Sequence, residues 1–208
     1  MNSTKAQAET LKWLALAAML TDHAARYLGA TWPLWHIVGR AAMPAFALAL
    51  GRQLDQDKAK TTALRLLTFG LLILPLYEWA TRGTARPDIL LSLACAAWAI
   101  HAKQHTGTTR AIHTGLAVML SCAADYGPVG IVLALATNGP ATRWKHGLAA
   151  LGAIALYYFG GGIEGAAWAL AWYTTTRLLP EAPRLKRFFL RTYLAQWPLI
   201  IALRAAGA

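Results

Sequence analysis

The sequence predicts an all-α integral membrane protein: a polytopic bundle of about nine transmembrane helices with its N-terminus in the cytoplasm. Three observations carry this expectation. The 208 residues are 57% hydrophobic and only 14% charged, with nine tryptophans, and the mean hydropathy is +0.38. The apolar residues fall into runs separated by short polar stretches, as membrane spans do. Lysine and arginine gather on alternate connections, which is how topology is written in a membrane sequence. The runs do not alternate with period two, so sheet is not expected.

In order, the runs are Trp13–Leu28, Leu34–Gly51, Ala63–Ala80, Ile89–His101, Ala111–Ala124, Pro128–Thr137, Gly147–Phe159, Ile163–Leu179 and Phe188–Ala206. A span needs roughly 17–25 residues. The fourth to seventh runs are shorter and call for tilt, interfacial extension or re-entrant segments. The first run contains Asp22 and His23 and lacks a small-residue cleavage site, so it reads as a span and not as a signal peptide. No internal repeat, low-complexity tract or composition break divides the chain, and 1–208 reads as one domain.

If all nine runs span with the N-terminus inside, the inner side carries fifteen basic residues and the outer side four: Arg26, Arg82, Arg86 and Arg204. That is a clear positive-inside bias. It also disposes of the nucleic-acid reading that a formal charge of +11 invites, because the cations lie between apolar runs as topology determinants. Cys95 and Cys122 lie within apolar runs without metal or redox spacing. No zinc-protease motif, nucleophile elbow, phosphate loop or dinucleotide glycine motif is present. The six histidines show no ligand spacing, and no metal is expected.

The acids are placed unevenly. Asp22, Glu78, Asp88, Asp125 and Glu164 fall at or near outer helix ends. Asp22 is six residues before the end of the first run and Arg40 six after the start of the second, so each lies roughly 9 Å below the outer surface. A charge in hydrocarbon costs roughly 2.5–3.5 kcal/mol, which makes Asp22, His23 and Arg40 candidates for a sunken polar site. The spacing equally allows an Asp22–Arg26 pair on one helix or an Asp22–Arg40 pair between helices. His23 is about 100° around the helix from Asp22, so its orienting partner has to come from another helix. Asp125, Tyr126 and Gly127 close the fifth run in a turn, and Glu164 follows three glycines, positions that suit either ordinary turns and caps or an acidic mouth. On the inner side Arg65, Arg184, Lys186 and Arg187 belong to a cationic patch suited to anionic lipid or to a phosphate-bearing ligand.

The stretch LKWLALAAMLTDH (Leu11–His23), followed by IVGRAAMPAFALALGRQL (Ile37–Leu54), LPLYEWA, PDILLSL (Pro87–Leu93) and ADYGPVGIVL (Ala124–Leu133), resembles the TraX family in order over about the first 135 residues. The resemblance implies an inner-membrane protein of a conjugation system that N-acetylates the processed pilin subunit. The family is similar to the wider group of membrane acyltransferases, which pass acyl groups from a cytoplasmic thioester to an acceptor outside. It places Asp22, His23, Arg40, Pro44, Asp125, Tyr126 and Gly127 at family motif positions. It implies acetyl-CoA as co-substrate, and pilin, lipid and the coenzyme A thioester as partners. Two departures stand out. The last helix reads Trp197-Pro198-Leu199-Ile200 where the family carries a histidine after the aromatic–proline pair, and Asp88 stands for a family asparagine. The first departure leaves His23 with fewer polar partners.

The expected reaction is acetyl transfer to the pilin α-amine, with His23 as base or, alternatively, as transient acyl acceptor, Asp22 and Arg40 shaping the site, and Tyr126 with Asp125, Glu78, Asp88 and Glu164 receiving the cationic acceptor. The alternatives are acyl transfer to a sugar or lipid hydroxyl, another step of pilin maturation such as trimming or cyclisation, and a non-catalytic pilin chaperone or scaffold.

Overall fold

The computed structural model describes residues 3–28, 38–81, 89–124, 126–140, 142–156, 171 and 188–206. Among the described residues it is all-helical. The helices are α1 (Ser3–Tyr27), α2 (Ala42–Gln53), α3 (Gln56–Thr81), α4 (Ile89–Ala102), α5 (Gly107–Cys122), α6 (Val129–Thr137), α7 (Arg143–Leu156) and α8 (Phe188–Ala205). Each falls on one of the apolar runs. The run Ile163–Leu179 lies outside the described residues, Ala171 apart.

The bundle is built around α2, which packs on α1, α6 and α4. Its sequence explains the central place. From Ala42 to Ala49 every residue is buried, and four of these are alanines that let neighbouring backbones come close. The closest approach is at Gly51, where any Cβ would collide with the Ala134 carbonyl and the Thr137 hydroxyl of α6. Thr137 Oγ1 donates back to Leu48 O at 3.1 Å. Short α6 is enclosed by α2, α4 and α7, entered through the turn at Gly127 (φ 53°) and Pro128 and ended by Asn138-Gly139-Pro140. Around this centre α3 lies against α4, α5 covers α4, and α8 packs on α3 and α1.

Helix length separates two groups. With 12 and 9 residues, α2 and α6 are about 18 and 14 Å long, well short of a hydrocarbon core of about 30 Å. Among the described residues only α3, over Gln56–Ala80, is both long and apolar enough to cross a membrane; α4 is a shorter apolar helix. The structure thus carries the all-helical expectation but does not itself supply nine spans. Large apolar side chains nevertheless face outward on the peripheral helices: Leu71, Leu72 and Trp79 on α3, Ile112 and Met119 on α5, Leu151 and Ile154 on α7, and Leu199 on α8.

Candidate functional site

At one end of the bundle α1 brings Asp22 and His23 to the start of α2. The approach is close because residue 39 is glycine: a Cβ there would lie 2.8 Å from the Asp22 Cα and 2.7 Å from its Oδ1. His23 is turned toward α8. Its Nδ1 donates to Gln196 Oε1 at 3.0 Å, which leaves Nε2 as the basic nitrogen. The imidazole lies between aromatic rings, 4.8 Å from Trp197 and 5.8 Å from Tyr27 between centroids. Trp197 is fully buried and meets Tyr77 of α3 edge-on at 4.8 Å. The Gln196 Nε2 and Trp197 Nε1 donors are buried without a hydrogen-bond partner among the described residues. Buried donors of this kind are rare and mark places where a ligand oxygen would be welcome.

Beside His23 is a cavity of about 30 Å³, room for one or two waters, lined by Asp22, His23, Arg26, Tyr77 and Tyr126 with Met19, Gly39, Ala42 and Ile89. Arg26 stands in the field of Asp22, Tyr27 and Tyr126. The cavity thus gathers a neutral imidazole nitrogen, a carboxylate, a guanidinium and two phenols, able to move a proton beside a bound cation or a developing oxyanion.

The opposite end holds a larger cavity of about 520 Å³, lined by Arg52, Lys103, Trp144 and Lys145 among others. Its hub is Asn138, placed by the end of α6. The Asn138 Nδ2 donates to Gly51 O and Leu54 O at 3.0 Å each, closing the open carbonyls at the end of α2. Lys103 Nζ donates to Asn138 Oδ1 at 2.7 Å, and Lys145 Nζ to Asn138 O at 2.5 Å. Lys103 lies just past the end of α4, and burial, helped by Lys145 and Arg110, holds its pKa below the ordinary lysine value.

The expected site residues distribute as follows. Asp22, His23 and Tyr126 line the smaller cavity, and Arg40 sits at the turn into α2, adjoining Gly39 but not lining the cavity. Glu78 is exposed and does not line it; its neighbour Tyr77 does, two residues beyond Pro75 of α3. Arg65 is exposed midway along α3, away from the larger cavity. Asp88, Asp125, Glu164, Arg184, Lys186 and Arg187 lie outside the described residues. Sequence reasoning passed over Gln196, which supplies the partner that His23 needed, although an amide inside an apolar run was a usable signal. It also read Lys103 and Lys145 only as topology determinants.

His101, His105 and His113, scattered in sequence, come together at the foot of α4 and α5. His105 and His113 stack at 4.7 Å, His101 meets both at 5.0 and 5.7 Å, and Trp98 Nε1 donates to His113 Nδ1 at 3.2 Å. His105 Nε2 and His101 Nε2 approach to 3.5 Å, but no group of three or more metal-ligating side chains among the described residues could hold an ion.

The fold and the site define a class: an all-helical protein with a histidine-centred polar cavity at one end of its bundle and a lysine-lined cavity at the other. The family model described as TraX protein matches residues 7–201, so the chain belongs to the TraX family. Comparison with curated proteins and with solved structures finds no match. Membership sets the protein in a conjugation and pilus context.

Proposed function

We propose that the protein is a membrane-embedded acetyltransferase, multi-pass in the bacterial inner membrane with its N-terminus cytoplasmic. It moves an acetyl group from acetyl-CoA to the N-terminal amine of a processed conjugative pilin. The observation that carries this reading is the state of His23: Nδ1 is committed to Gln196, Nε2 is free to take a proton, and the ring borders a small polar cavity. The outward-facing leucines, isoleucines and tryptophan of the peripheral helices favour a lipid surround, since exposed apolar surface on this scale needs an apolar partner.

Thioester aminolysis needs a neutral amine, and an α-amine with a pKa of roughly 7.7–8.0 is largely protonated at neutral pH. The ammonium first releases one proton to bulk water; the neutral amine nitrogen then attacks the thioester carbonyl carbon while His23 Nε2 takes a second proton from that nitrogen. The C–N bond forms, the C–S bond breaks, and the departing thiolate recovers a proton from the imidazolium to leave as coenzyme A thiol. Asp22 holds the ammonium before it loses its proton. Arg26 and Arg40 shape the polar field at the carbonyl, and the Gln196 and Trp197 donors suit the oxyanion. Tyr126 and Asp125, with Glu78, Asp88 and Glu164, form the acidic and phenolic mouth on the acceptor side. Arg65, Arg184, Lys186 and Arg187 serve the cytoplasmic side, where the phosphorylated donor arrives. The water-sized cavity has to widen to admit both reactants, so substrate entry is accompanied by movement of helix ends.

The test is His23→Ala in cells that make the pilus. Mature pilin from these cells is expected to have lost one acetyl group by intact mass, with the protein's level in the membrane unchanged. Acetylated pilin at full level would remove His23 from the reaction.

A further inference from the structure

The larger cavity joins two features that a purely structural role leaves unexplained. Lys145 is 4% exposed, yet both it and Lys103 donate only to neutral oxygens of Asn138; neither has a carboxylate partner among the described residues. The single carboxylate on the cavity wall, Asp55, is 54% exposed at its side chain and has Lys58 3.9 Å away. A buried ammonium without a counter-ion is costly. Gly139, with φ +86°, keeps the space before Lys145 open: a Cβ there would lie 3.4 Å from Nζ. The second feature is Trp144, 59% exposed on the wall at the first turn of α7, with Lys145 Nζ over its indole ring 5.8 Å from the centroid, so that ammonium and ring border the same space. Ammonium groups bind phosphate oxygens, and an indole face stacks with a nucleobase. The cavity, at about 520 Å³, is in the size range of small-ligand sites.

Its position in the bundle fits that chemistry. Helix α2 has Ala42 at the histidine cavity and Gly51 at the lysine cavity, and α4 has Ile89 at the first with Lys103 just beyond its other end at the second. Likewise α6 lies between Tyr126 and Asn138, and α3 runs from Gln56 to Tyr77. The two cavities are therefore the two ends of one helical core, roughly 14 Å apart along α2. We infer that the cavity lined by Lys103, Lys145 and Trp144 binds the nucleoside-diphosphate end of the acyl donor, phosphates on the lysines and base on the indole, with the acyl arm directed toward His23. This rests on the acetyltransferase reading and gives its donor a docking place apart from the reacting centre.

The experiment uses the full chain in nanodiscs of zwitterionic lipid, titrated with coenzyme A, with inorganic pyrophosphate as competitor. Binding is expected for the wild-type protein and is displaced by pyrophosphate. Lys103→Gln, Lys145→Gln and Trp144→Ala each weaken it about tenfold, the scale of one charge-assisted or stacking contact. Melting temperatures are recorded for every variant. If a lysine variant fails to fold, Trp144→Ala, whose side chain is largely exposed, carries the test. Undiminished coenzyme A binding in Trp144→Ala and in the folded lysine variants overturns the proposal, as does failure of pyrophosphate to compete. Retention of phosphatidylglycerol by the purified protein with no coenzyme A binding also overturns it, since the lysines then serve lipid. Two further outcomes separate this inference from the acetyltransferase reading. Lysine-dependent coenzyme A binding without acetyl transfer leaves the cavity assigned and removes the reaction. Acetyl transfer with an unchanged KM for acetyl-CoA in the variants keeps the reaction and removes the cavity.

Discussion

His23 is held by a single hydrogen bond to a neutral amide, and that sets what each neighbouring substitution does. Gln196→Leu removes the acceptor that fixes the tautomer while keeping an apolar shape beside Trp197. Acetyl transfer is expected to fall by about tenfold or more, part of the roughly 10²–10⁴ that a positioned base contributes. Gln196→Glu retains an acceptor at the same reach, and activity should recover over the Leu variant. A merely structural glutamine would show no such rescue, so equal activity in the two variants contradicts the positioning role. The sequence marked His23 and Asp22 because charge in an apolar run is conspicuous, but it left Gln196 unmarked. An uncharged amide carries a weaker signal, and its partner lies 173 positions away in the chain. The departure in the last helix made His23 look short of partners; the amide just before Trp197-Pro198 fills the gap.

At the level of helices, close packing depends on small residues and on one capping amide. Asn138 closes two carbonyls at the end of α2 and accepts from two lysines, so it ties α2, α4, α6 and α7 together. Asn138→Ala leaves several buried groups without partners and is expected to destabilise by on the order of 3 kcal/mol. The check is thermal unfolding in detergent, and an unchanged midpoint would contradict the hub. Gly51→Ala forces α2 from α6 at the Ala134 carbonyl, and overpacking of this kind costs roughly 1–3 kcal/mol; it too is read as a lower midpoint. The runs of apolar residues located each described helix, and for some of them the bounds as well. Helix α4 begins at the expected Ile89, and α8 spans Phe188–Ala205 against an expected Phe188–Ala206. Other starts were misjudged where polar residues extend a helix beyond its apolar part: α1 begins at Ser3 and α3 at Gln56, because hydropathy reports the lipid or core environment and not the helix itself. Side-chain direction was harder to read. Glu78 faces out while Tyr77 faces the cavity, since neighbours on a helix differ by about 100°.

Over the whole molecule, short buried helices are surrounded by peripheral helices with apolar outer faces, and the two cavities lie at opposite ends. That polarity suits a protein receiving a donor from one side of a membrane and an acceptor from the other. If α3 borders lipid, Leu72→Arg, at a site 67% exposed, places a charge against hydrocarbon at roughly 2.5–3.5 kcal/mol. The expected result is reduced membrane insertion of the variant; insertion equal to wild type would put this face in water. The positive-inside pattern was visible in the sequence, whereas the lysine cavity was not, because Lys103 and Lys145 converge only when α4 and α7 meet at the end of α6. The most direct measurement of the central claim uses purified full-length protein, acetyl-CoA and a synthetic peptide with the processed pilin N-terminus, read by intact mass. The account predicts that the peptide gains one acetyl group with the wild-type protein, and neither with His23→Ala nor when the peptide's α-amine is blocked. No gain with the wild-type protein, or an equal gain with His23→Ala, would contradict it.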